Sequence, residues 1–530
     1  MSRVHPIFEI QELIGEIVSW MPPRQTIHTA LVNRTWFHAS IPYLWYSVSL
    51  KGALSLLGKW GMCRDRFGFL ETPTETQWDL FLVYSKHVRL LEGISLEGRL
   101  LQAATRFRPD SVTYLFPNLR VLIWTTMGDL TDLNALISPS LESFGLKVPE
   151  LTASSFQRLC HLLITRLKVL RFLDIDVLVA LKADIQCHHL FQELLEHFKE
   201  TLMWIQIPSL FYTHKTLKML SKIQHLCNLS IGPDNLLQIN EIPVSWTDHK
   251  LIERRENFHS LQKFSFTGTQ KKLCDKLLTR YSLSALLDFT WHSCTRLDDP
   301  EFLITIMVSS CPHLETLTVG HSQMYPIIPF TPPVIHWPAI RPLLRLQNLS
   351  TLSLNSWTIQ MTPENLIELL SSRPPSRTWK ILEIFTSTPL RLADLSLYNQ
   401  YCPDLERLGI YIDGYSLNSF LAPSDHDERD IDQLLELHLL PHRRFSQLAV
   451  INFGYSQLHW KTSLAISSIL LKLSEIPIVA TGWDWPYWRE VSARVLARWK
   501  AGKGNGWDAA LRSERSTPTD SYEGWWNVIW

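Results

Sequence analysis

One short apolar phrase recurs along the chain between about residues 85 and 475. It consists of a polar residue or proline, any residue, Leu, any two residues, Leu, any residue, and Leu or Ile. Apolar and polar positions alternate in its second half, as at Leu317 and Val319 or at Leu352 and Leu354, and this period of two predicts a short β-strand. Copies lie at residues 116–124, 138–146, 165–173, 227–231, 259–266, 311–319, 346–354, 402–410 and 445–453, with a degenerate copy at 200–207.

Recurrence of one phrase at intervals of roughly 20–50 residues indicates a repeat array. Several copies follow a segment with helical spacing, such as the one before Cys311-Pro312 and the one that Pro363 opens, with Glu364 in its first turn. A repeated unit of helix, turn and strand predicts an α/β fold with parallel strands on one face and helices on the other. Because the interval drifts and the loop asparagine of regular leucine-rich repeats is mostly missing, we expect an irregular leucine-rich-repeat solenoid. The apolar positions of the two helical segments are Phe302, Leu303, Ile306, Met307, Leu366, Ile367 and Leu370.

The first 50 residues carry three short helical patterns of a different kind. The first begins near Gln11 and ends at Pro22-Pro23, and the third ends at Ile41-Pro42 before Leu44-Trp45 closes the segment. Such a small unit buries little core, so docking on a partner or on the next domain would stabilise it. The apolar positions of the three patterns are Leu13, Ile14, Ile17 and Val18, then Ile27, Ala30, Leu31 and Val32, and then Trp36 and Phe37.

Tryptophan is concentrated at the C-terminus, where eight of the 21 tryptophans lie between residues 483 and 530. The terminal repeat of an array must cover its open apolar edge, so we expect a C-terminal cap here. These patterns divide the chain into a helical domain at 1–50, a repeat array at 51–480 and a Trp-rich cap and tail at 481–530. The start of the array before residue 115 is left open, as is the order of residues 501–530.

Composition argues against several classes of protein. Of the 530 residues 45% are hydrophobic and 19% are charged, and the formal net charge is +0. The balanced charge argues against a nucleic-acid or membrane-surface partner, and no stretch reaches the roughly 18 apolar residues of a membrane span. The N-terminus lacks a signal-peptide pattern, and the eight cysteines form no CxxC pair. We therefore expect reduced thiols and a cytoplasmic or nuclear location.

Several motifs resemble catalytic or metal sites without meeting their requirements. The run from Gly320 to Met324 begins like a nucleophile elbow, but Met324 takes the place of its second glycine. Cys187, His188, His189 and His197 lack the ligand spacing of a zinc site, and no phosphate-binding GxxxxGK[ST] loop occurs. The sequence therefore predicts no catalytic residue, metal or cofactor. We interpret the acidic run with Asp425, Asp427, Glu428 and Asp430 as a solvated insert.

The segment from Phe8 to Val48 resembles an F-box, the helical motif that binds the adaptor subunit of cullin–RING (SCF-type) ubiquitin ligases. The resemblance is carried by the helix from Glu12 to Val18, the Pro22-Pro23 turn, VNRTW at 32–36 and the closing Leu44-Trp45. The family pattern has Leu-Pro or Ile-Pro before the acidic residue, where this chain has Ile10-Gln11. The whole layout is similar to that of fungal F-box proteins with degenerate leucine-rich repeats.

This resemblance implies a non-enzymatic adaptor with two partners. The F-box would hold the ligase adaptor subunit and its cullin complex, and the repeat surface would bind a protein substrate at polar strand positions such as Thr316, Thr318, Ser353 and Arg407. A hydrophobic anchor must be exposed in the free protein, so the apolar side chains of the first helix cannot all be internal. The expected contacts to the adaptor are Ile10, Glu12, Leu13, Ile14, Ile17, Val18 and Pro22, and the expected core is Val32, Trp36, Leu44 and Trp45.

Two other functions fit the sequence less closely. One is a repeat scaffold for protein–protein interaction that acts without a ligase, its helical unit only capping the array. The other is a serine hydrolase within the long middle segment, which requires a Ser-His-acid set that the sequence does not show. The first alternative differs from the ligase role only in that the chain would not bind the adaptor. The second would be recognised by transfer of a label from a serine-reactive probe.

Overall fold

A computed structural model describes the chain over most of its length and groups it into two compact units. The first unit falls within Met1–Gln270 and Arg280–Ala285, and the second within Lys271–Thr279 and Leu286–Trp530. The described residues are 10–63, 66–93, 98–126, 130–150, 152–179, 185–208, 211, 213–232, 256–268, 277–293, 300–321, 334–374, 377–387, 394–411, 445–453, 470, 479–481 and 491–497.

Three short helices open the first unit: α1 (Gln11–Ser19), α2 (Pro23–Ala30) and α3 (Arg34–Leu44). Pro23 begins α2 at a position where its missing N–H is not needed. The Asn33 side chain caps α3 by accepting the N–H of Trp36 at 3.0 Å. The predicted break at Ile41-Pro42 is wrong, since α3 continues to Leu44 and the N–H of Trp45 still donates to the Ile41 carbonyl at 2.9 Å.

The other helices and strands of the first unit follow in chain order. The helices are α4 (Leu50–Leu54), α5 (Glu75–Ser85), α6 (Gly98–Arg106), α7 (Ala153–Arg166), α8 (Ile185–His197) and α9 (His214–Ser221), with 3-10 turns at Ser55–Leu57 and Thr131–Ala135. The strands are β1 (Ser47–Ser49), β2 (Trp60–Cys63), β3 (Arg66–Phe69), β4 (Leu90–Gly93), β5 (Val121–Thr125), β6 (Ser143–Glu150), β7 (Phe172–Val179), β8 (Trp204–Ile207), β9 (Asn228–Ile231), β10 (Glu256–Asn257), β11 (Lys263–Gly268) and β12 (Tyr281–Ser282).

Eight of these strands form one parallel sheet in the order β1-β4-β5-β6-β7-β8-β9-β11, so each repeat lies beside the next. The second apolar residue of each phrase pairs with the corresponding residue of the neighbouring strands. Together these residues form one row across the sheet, on its buried side, which we call a register row. Since side chains alternate along a strand, the neighbouring positions face away from the core. The row consists of the partly buried Val48 and the buried Leu91, Leu122, Phe144, Leu173, Ile205, Leu229 and Phe264.

The second unit repeats this arrangement. Its helices are α10 (Pro300–Ser310), α11 (Trp337–Ile340), α12 (Pro363–Ser371) and α13 (Leu395–Tyr401), with a 3-10 turn at Arg341–Arg345. Its strands are β13 (Asp288–Ser293), β14 (Thr316–His321), β15 (Val334–His336), β16 (Thr351–Gln360), β17 (Ile381–Thr386), β18 (Arg407–Gly409), β19 (Val450–Asn452) and β20 (Val479–Thr481). They pair in parallel as β13-β14-β16-β17-β18-β19-β20, and β15 pairs with the second half of β16. The buried row is Phe289, Leu317, Leu352, Leu382, Leu408, Ile451 and Ala480.

Backbone hydrogen bonds join one repeat to the next in the same way throughout each unit. The residue just before a strand accepts, on its carbonyl, two N–H groups from the start of the next strand. In the first unit the Arg89 carbonyl accepts from Arg120 and Val121, both at 2.8 Å, and in the second the Glu315 carbonyl accepts from Ser350 at 2.9 Å and Thr351 at 3.0 Å. This repeated bond holds the parallel strands in register.

The predicted phrases are confirmed as strands. All nine copies and the degenerate copy at 200–207 contain or lead into a parallel strand of the first or the second unit, and the predicted helices before Cys311 and after Thr362 are present. Among the strands of the parallel sheet, the sequence missed β1, β13, β15, β17 and β20, although TWKILEIF before and through β17 resembles the phrase. The sheet begins at β1, so the predicted boundary at residue 50 falls after its first strand. Residues 491–497 are helical, and the eight C-terminal tryptophans lie outside the described residues.

Candidate functional site

Helix α1 has two apolar faces with opposite environments. Ile14 and Val18 are buried and pack on Ala39 and the partly buried Trp36 of α3. They were predicted to contact the adaptor, and this is corrected, since the three-helix unit uses them for its own core. The other apolar side chains of α1 face solvent.

The exposed apolar face of α1 consists of Ile10, Leu13, Ile17 and Trp20. These residues recur every three or four positions, a spacing that places them along one side of a helix. Leu13 is 41% exposed, Ile17 is 39% exposed and Trp20 is 82% exposed. The Trp20 indole N–H donates to the Glu16 carboxylate at 3.1 Å. We call this set the α1 apolar face.

A second exposed apolar group lies on α2 and the turn that follows it. Ile27 is 53% exposed, Leu31 is 79% exposed and Val32 is 65% exposed. Val32 was expected in the core, and this is corrected. Its turn precedes the Asn33 cap, so its side chain lies outside the α1–α3 packing. We call this set the α2 apolar group.

The remaining predicted residues of the helical unit are distributed between its surface and its boundary. Glu12 and Pro22 are exposed, Glu12 in the first turn of α1 and Pro22 just before α2. Trp36 and Leu44 are partly buried. Trp45 stacks on Tyr84 of α5, with ring centroids 4.8 Å apart and an interplanar angle of 25°, so it joins the helical unit to the first repeat.

The exposed side of the second unit's sheet is mainly polar. The positions predicted for it lie there: Thr316, Thr318 and Arg407 are partly exposed, and Ser353 is buried against its neighbours. Their strands place Thr316 beside Thr351, and Thr318 beside Ser353. Hydroxyl groups in such rows donate and accept hydrogen bonds, which suits recognition of another polypeptide.

A buried carboxylate organises the middle of this polar side. Glu383 on β17 is 3% exposed. Its Oε2 accepts from the Ser353 hydroxyl at 2.6 Å and from the Asn355 amide at 3.1 Å, and its Oε1 accepts from the Arg407 Nε at 2.7 Å and from the Asn452 amide at 3.4 Å. Alternation along the strands predicted Ser353 and Arg407 as surface positions but not Glu383, whose signal is a charged residue inside an otherwise apolar strand.

Asp174 on β7 is the titratable group of the first unit's sheet with the clearest perturbation. Burial and, less strongly, the negative charge of Asp176 raise its pKa, Lys147 opposes them, and the resulting pKa is about 6. One of its carboxylate oxygens is enclosed and has no hydrogen-bond partner in the described structure. The sheet therefore holds this carboxylate at a cost in free energy.

Two histidines of the 187–197 segment, which lacks zinc-ligand spacing, make structural contacts. The His188 ring packs edge-on against Phe211 with centroids 6.0 Å apart, and His197 Nε2 lies 3.4 Å from the Leu167 carbonyl oxygen. Within the described residues no group of three His, Cys, Asp or Glu is placed to hold a metal ion.

Across the same part of the chain, no helix is long and apolar enough to cross a membrane. Ser322, Met324 and the acidic run at 425–430 lie outside the described residues.

Two solved structures are similar to this chain at low sequence identity. No protein-family model matches the chain, and no curated protein matches it. An internalin, InlF, from Listeria monocytogenes has 14% identity over 65% of this chain and 76% of its own, with a TM-score of 0.30. A leucine-rich-repeat protein from Leptospira interrogans has 15% identity over 67% of this chain and 84% of its own, with a TM-score of 0.29. The repeat architecture itself is seen directly in the strand register and hydrogen bonds above.

Proposed function

We propose that the chain is a substrate-recognition adaptor of a cullin–RING ubiquitin ligase. Its N-terminal helices bind the ligase adaptor subunit, and its repeat surface binds a protein substrate. The chain contributes proximity and orientation to ubiquitin transfer, and no catalytic group.

The α1 apolar face carries this proposal. The three-helix unit buries Ile14 and Val18 in its own small core, yet it leaves Leu13, Ile17 and Trp20 in solvent. Clustered exposed apolar side chains mark interaction sites in proteins. A helix that presents such a row to a hydrophobic groove is a common mode of recognition, and the resemblance to an F-box supplies the partner.

A second candidate function is a repeat scaffold that binds proteins without a ligase. The Trp45–Tyr84 stacking favours it, because it attaches the helical unit to the first repeat as a cap would be attached. The two functions differ in one respect: a cap has no use for the exposed α1 apolar face.

The test is co-purification of the full chain with the recombinant ligase adaptor subunit. Wild type is compared with Leu13→Asp/Ile17→Asp, which places two charges on the α1 apolar face. We expect a stable complex with wild type and a loss of at least about 100-fold in affinity with the variant, since two desolvated carboxylates replace an apolar contact.

Leu80→Asp/Val83→Asp is the matched control. These residues are 45% and 49% exposed on α5, so the same charges enter an exposed helical surface of the same unit. This variant should bind the adaptor as wild type does. If wild type forms no complex while circular dichroism shows a folded chain, the ligase role is lost and the scaffold remains.

A further inference from the structure

The guanidinium of Arg407 is held in a fixed position on the exposed side of the second unit's sheet. Its Nε donates to Glu383 Oε1 at 2.7 Å, and the Arg407 side chain remains 43% exposed while that of Glu383 is 4% exposed. Among the described residues, the two Nη groups of Arg407 have no hydrogen-bond partner. The outer edge of the guanidinium is therefore available to a ligand.

Glu383 is already saturated by donors from its own sheet. Four groups donate to its two oxygens, from Ser353, Asn355, Arg407 and Asn452. A carboxylate so occupied orients Arg407 and cannot itself bind a further cation.

Gly409 leaves the space that this arrangement needs. It lies beside Glu383 in the register, and a Cβ on it would come within 2.6 Å of the Glu383 Cβ and 2.7 Å of its Cα. Any other residue would push Glu383 away from Arg407.

Aliphatic side chains flank Arg407 in its register row. Ile381 on β17 and Val450 on β19 are its direct neighbours, and Val479 on β20 follows Val450. Ile381 and Val450 are partly exposed, and Val479 is 41% exposed. Neighbouring strands are about 4.8 Å apart, so a single extended segment can touch all of these residues at once.

We infer that this part of the sheet binds an acidic segment of a partner protein, with a carboxylate on the Arg407 fork and aliphatic side chains against Ile381 and Val450. Guanidinium and carboxylate match in a two-bond geometry, and the aliphatic neighbours exclude water from that pair. This inference rests on the proposed function, since it gives the chemistry of the substrate that the repeat surface selects.

The charge of the site favours a carboxylate over a doubly charged phosphate. Among the strands described in the second unit, Arg407 is the one Lys or Arg residue. Its charge is partly balanced by Glu383 beneath it, so the Arg407–Glu383 pair offers at most a single positive charge. One negative charge on the partner is the complementary amount.

The experiment measures binding of short fluorescent peptides to the full chain by anisotropy, with no adaptor subunit present. One peptide pool has an aliphatic–(Asp or Glu)–aliphatic centre, a second replaces the acid by its amide Asn or Gln, and a third carries phosphoserine. We expect the acidic pool to bind at least about tenfold tighter than the amide pool, as a charge-assisted pair would give.

Three variants locate the site. Arg407→Gln should reduce binding of the acidic pool to that of the amide pool, and Arg407→Lys should recover part of the loss because the charge returns without the fork. Arg341→Gln is the matched control, since the Arg341 Nε donates to Glu368 at 2.8 Å in a comparable ion pair on the helical side of the same unit. It should leave peptide binding unchanged.

Two results would overturn the inference: equal binding of the acidic and amide pools, or unchanged acidic binding in a folded Arg407→Gln chain. A preference for the phosphoserine pool would replace the carboxylate assignment. Because no adaptor is present, failure here leaves the ligase proposal intact, and failure of adaptor co-purification leaves this result intact.

Discussion

Asp174 is a residue of the sheet whose ionised form destabilises the folded chain at neutral pH. Its pKa is raised to about 6 from the ordinary aspartate value of 3.8, so the folded chain favours the protonated acid. The corresponding stabilisation is complete below pH 3.8 and is lost as the pH rises through about 6. At neutral pH the carboxylate is ionised, partly buried and repelled by Asp176.

We therefore predict that Asp174→Asn stabilises the chain at pH 7.5 by about 2 kcal/mol, from roughly two pKa units. The gain should fall toward zero as the pH is lowered from 6 to 4. Urea unfolding across this range measures it. Asp79→Asn, at an exposed position of α5, is the control. Parallel stability curves for wild type and Asp174→Asn would refute the prediction.

Gly93 is required by one aromatic neighbour. It ends β4, and a Cβ on it would overlap the ring of Trp124, which is 2% exposed on β5. We predict that Gly93→Ala lowers the free energy of unfolding by about 1–3 kcal/mol, because a packed ring must move.

Gly98→Ala gives the opposite result for the same chemical change. A Cβ at Gly98 has nothing within 4 Å, and the residue begins α6. Alanine favours the helix, so stability should be unchanged or slightly higher. Thermal unfolding compares the two, and equal losses in both would show that the Trp124 contact is not the cause.

At the scale of elements, α3 is the helix on which the helical unit depends. It presents Ala39 and Trp36 to α1, and its first turn is fixed by the Asn33 side chain. Because the core of the unit is small, loss of one cap affects the whole unit.

Asn33→Ala should destabilise α3 by about 1 kcal/mol, and Asn33→Asp should keep the cap. Hydrogen exchange of the amides of residues 34–44 measures this directly. We expect faster exchange in the alanine variant with the sheet unaffected. Equal exchange in both variants would mean that packing alone sets the start of α3.

At the scale of the whole molecule, the helices and the sheets differ in how they are stabilised. The strands of each unit are joined by repeated carbonyl acceptors and a continuous buried row, whereas α1 is held by a few side chains of α3. Stability is expected to vary accordingly along the chain.

Hydrogen exchange of the full chain should therefore show weak protection in α1 and α2 and strong protection in β5 to β8. Binding of the ligase adaptor should raise protection in α1 at least tenfold without changing β5 to β8, because ligand binding stabilises the state that it selects. Strong protection of α1 in the free chain would contradict this account of an exposed, marginal unit.

The sequence by itself determined the repeats. The alternation at positions such as Leu317 and Val319 is a local property, because side chains on a strand alternate whatever the strand pairs with. The helical spacing before Cys311 and the Pro22-Pro23 break are local in the same sense. Strands β13 and β17 were not predicted because their phrases begin irregularly, although their buried residues fit the register row as regularly as those of the other strands.

The tertiary structure decided which apolar side chains are exposed to solvent and therefore available to a partner. Ile14 and Ile17 have the same chemistry and lie three residues apart, and only the position of α3 buries the first and leaves the second exposed. Val32 was expected inside and lies outside for the same reason. The partnership of Glu383, Arg407 and Gly409 joins two strands separated in sequence by a helix, and no local pattern encodes it. Burial and charge pairing depend on which elements become neighbours, and that depends on the fold as a whole.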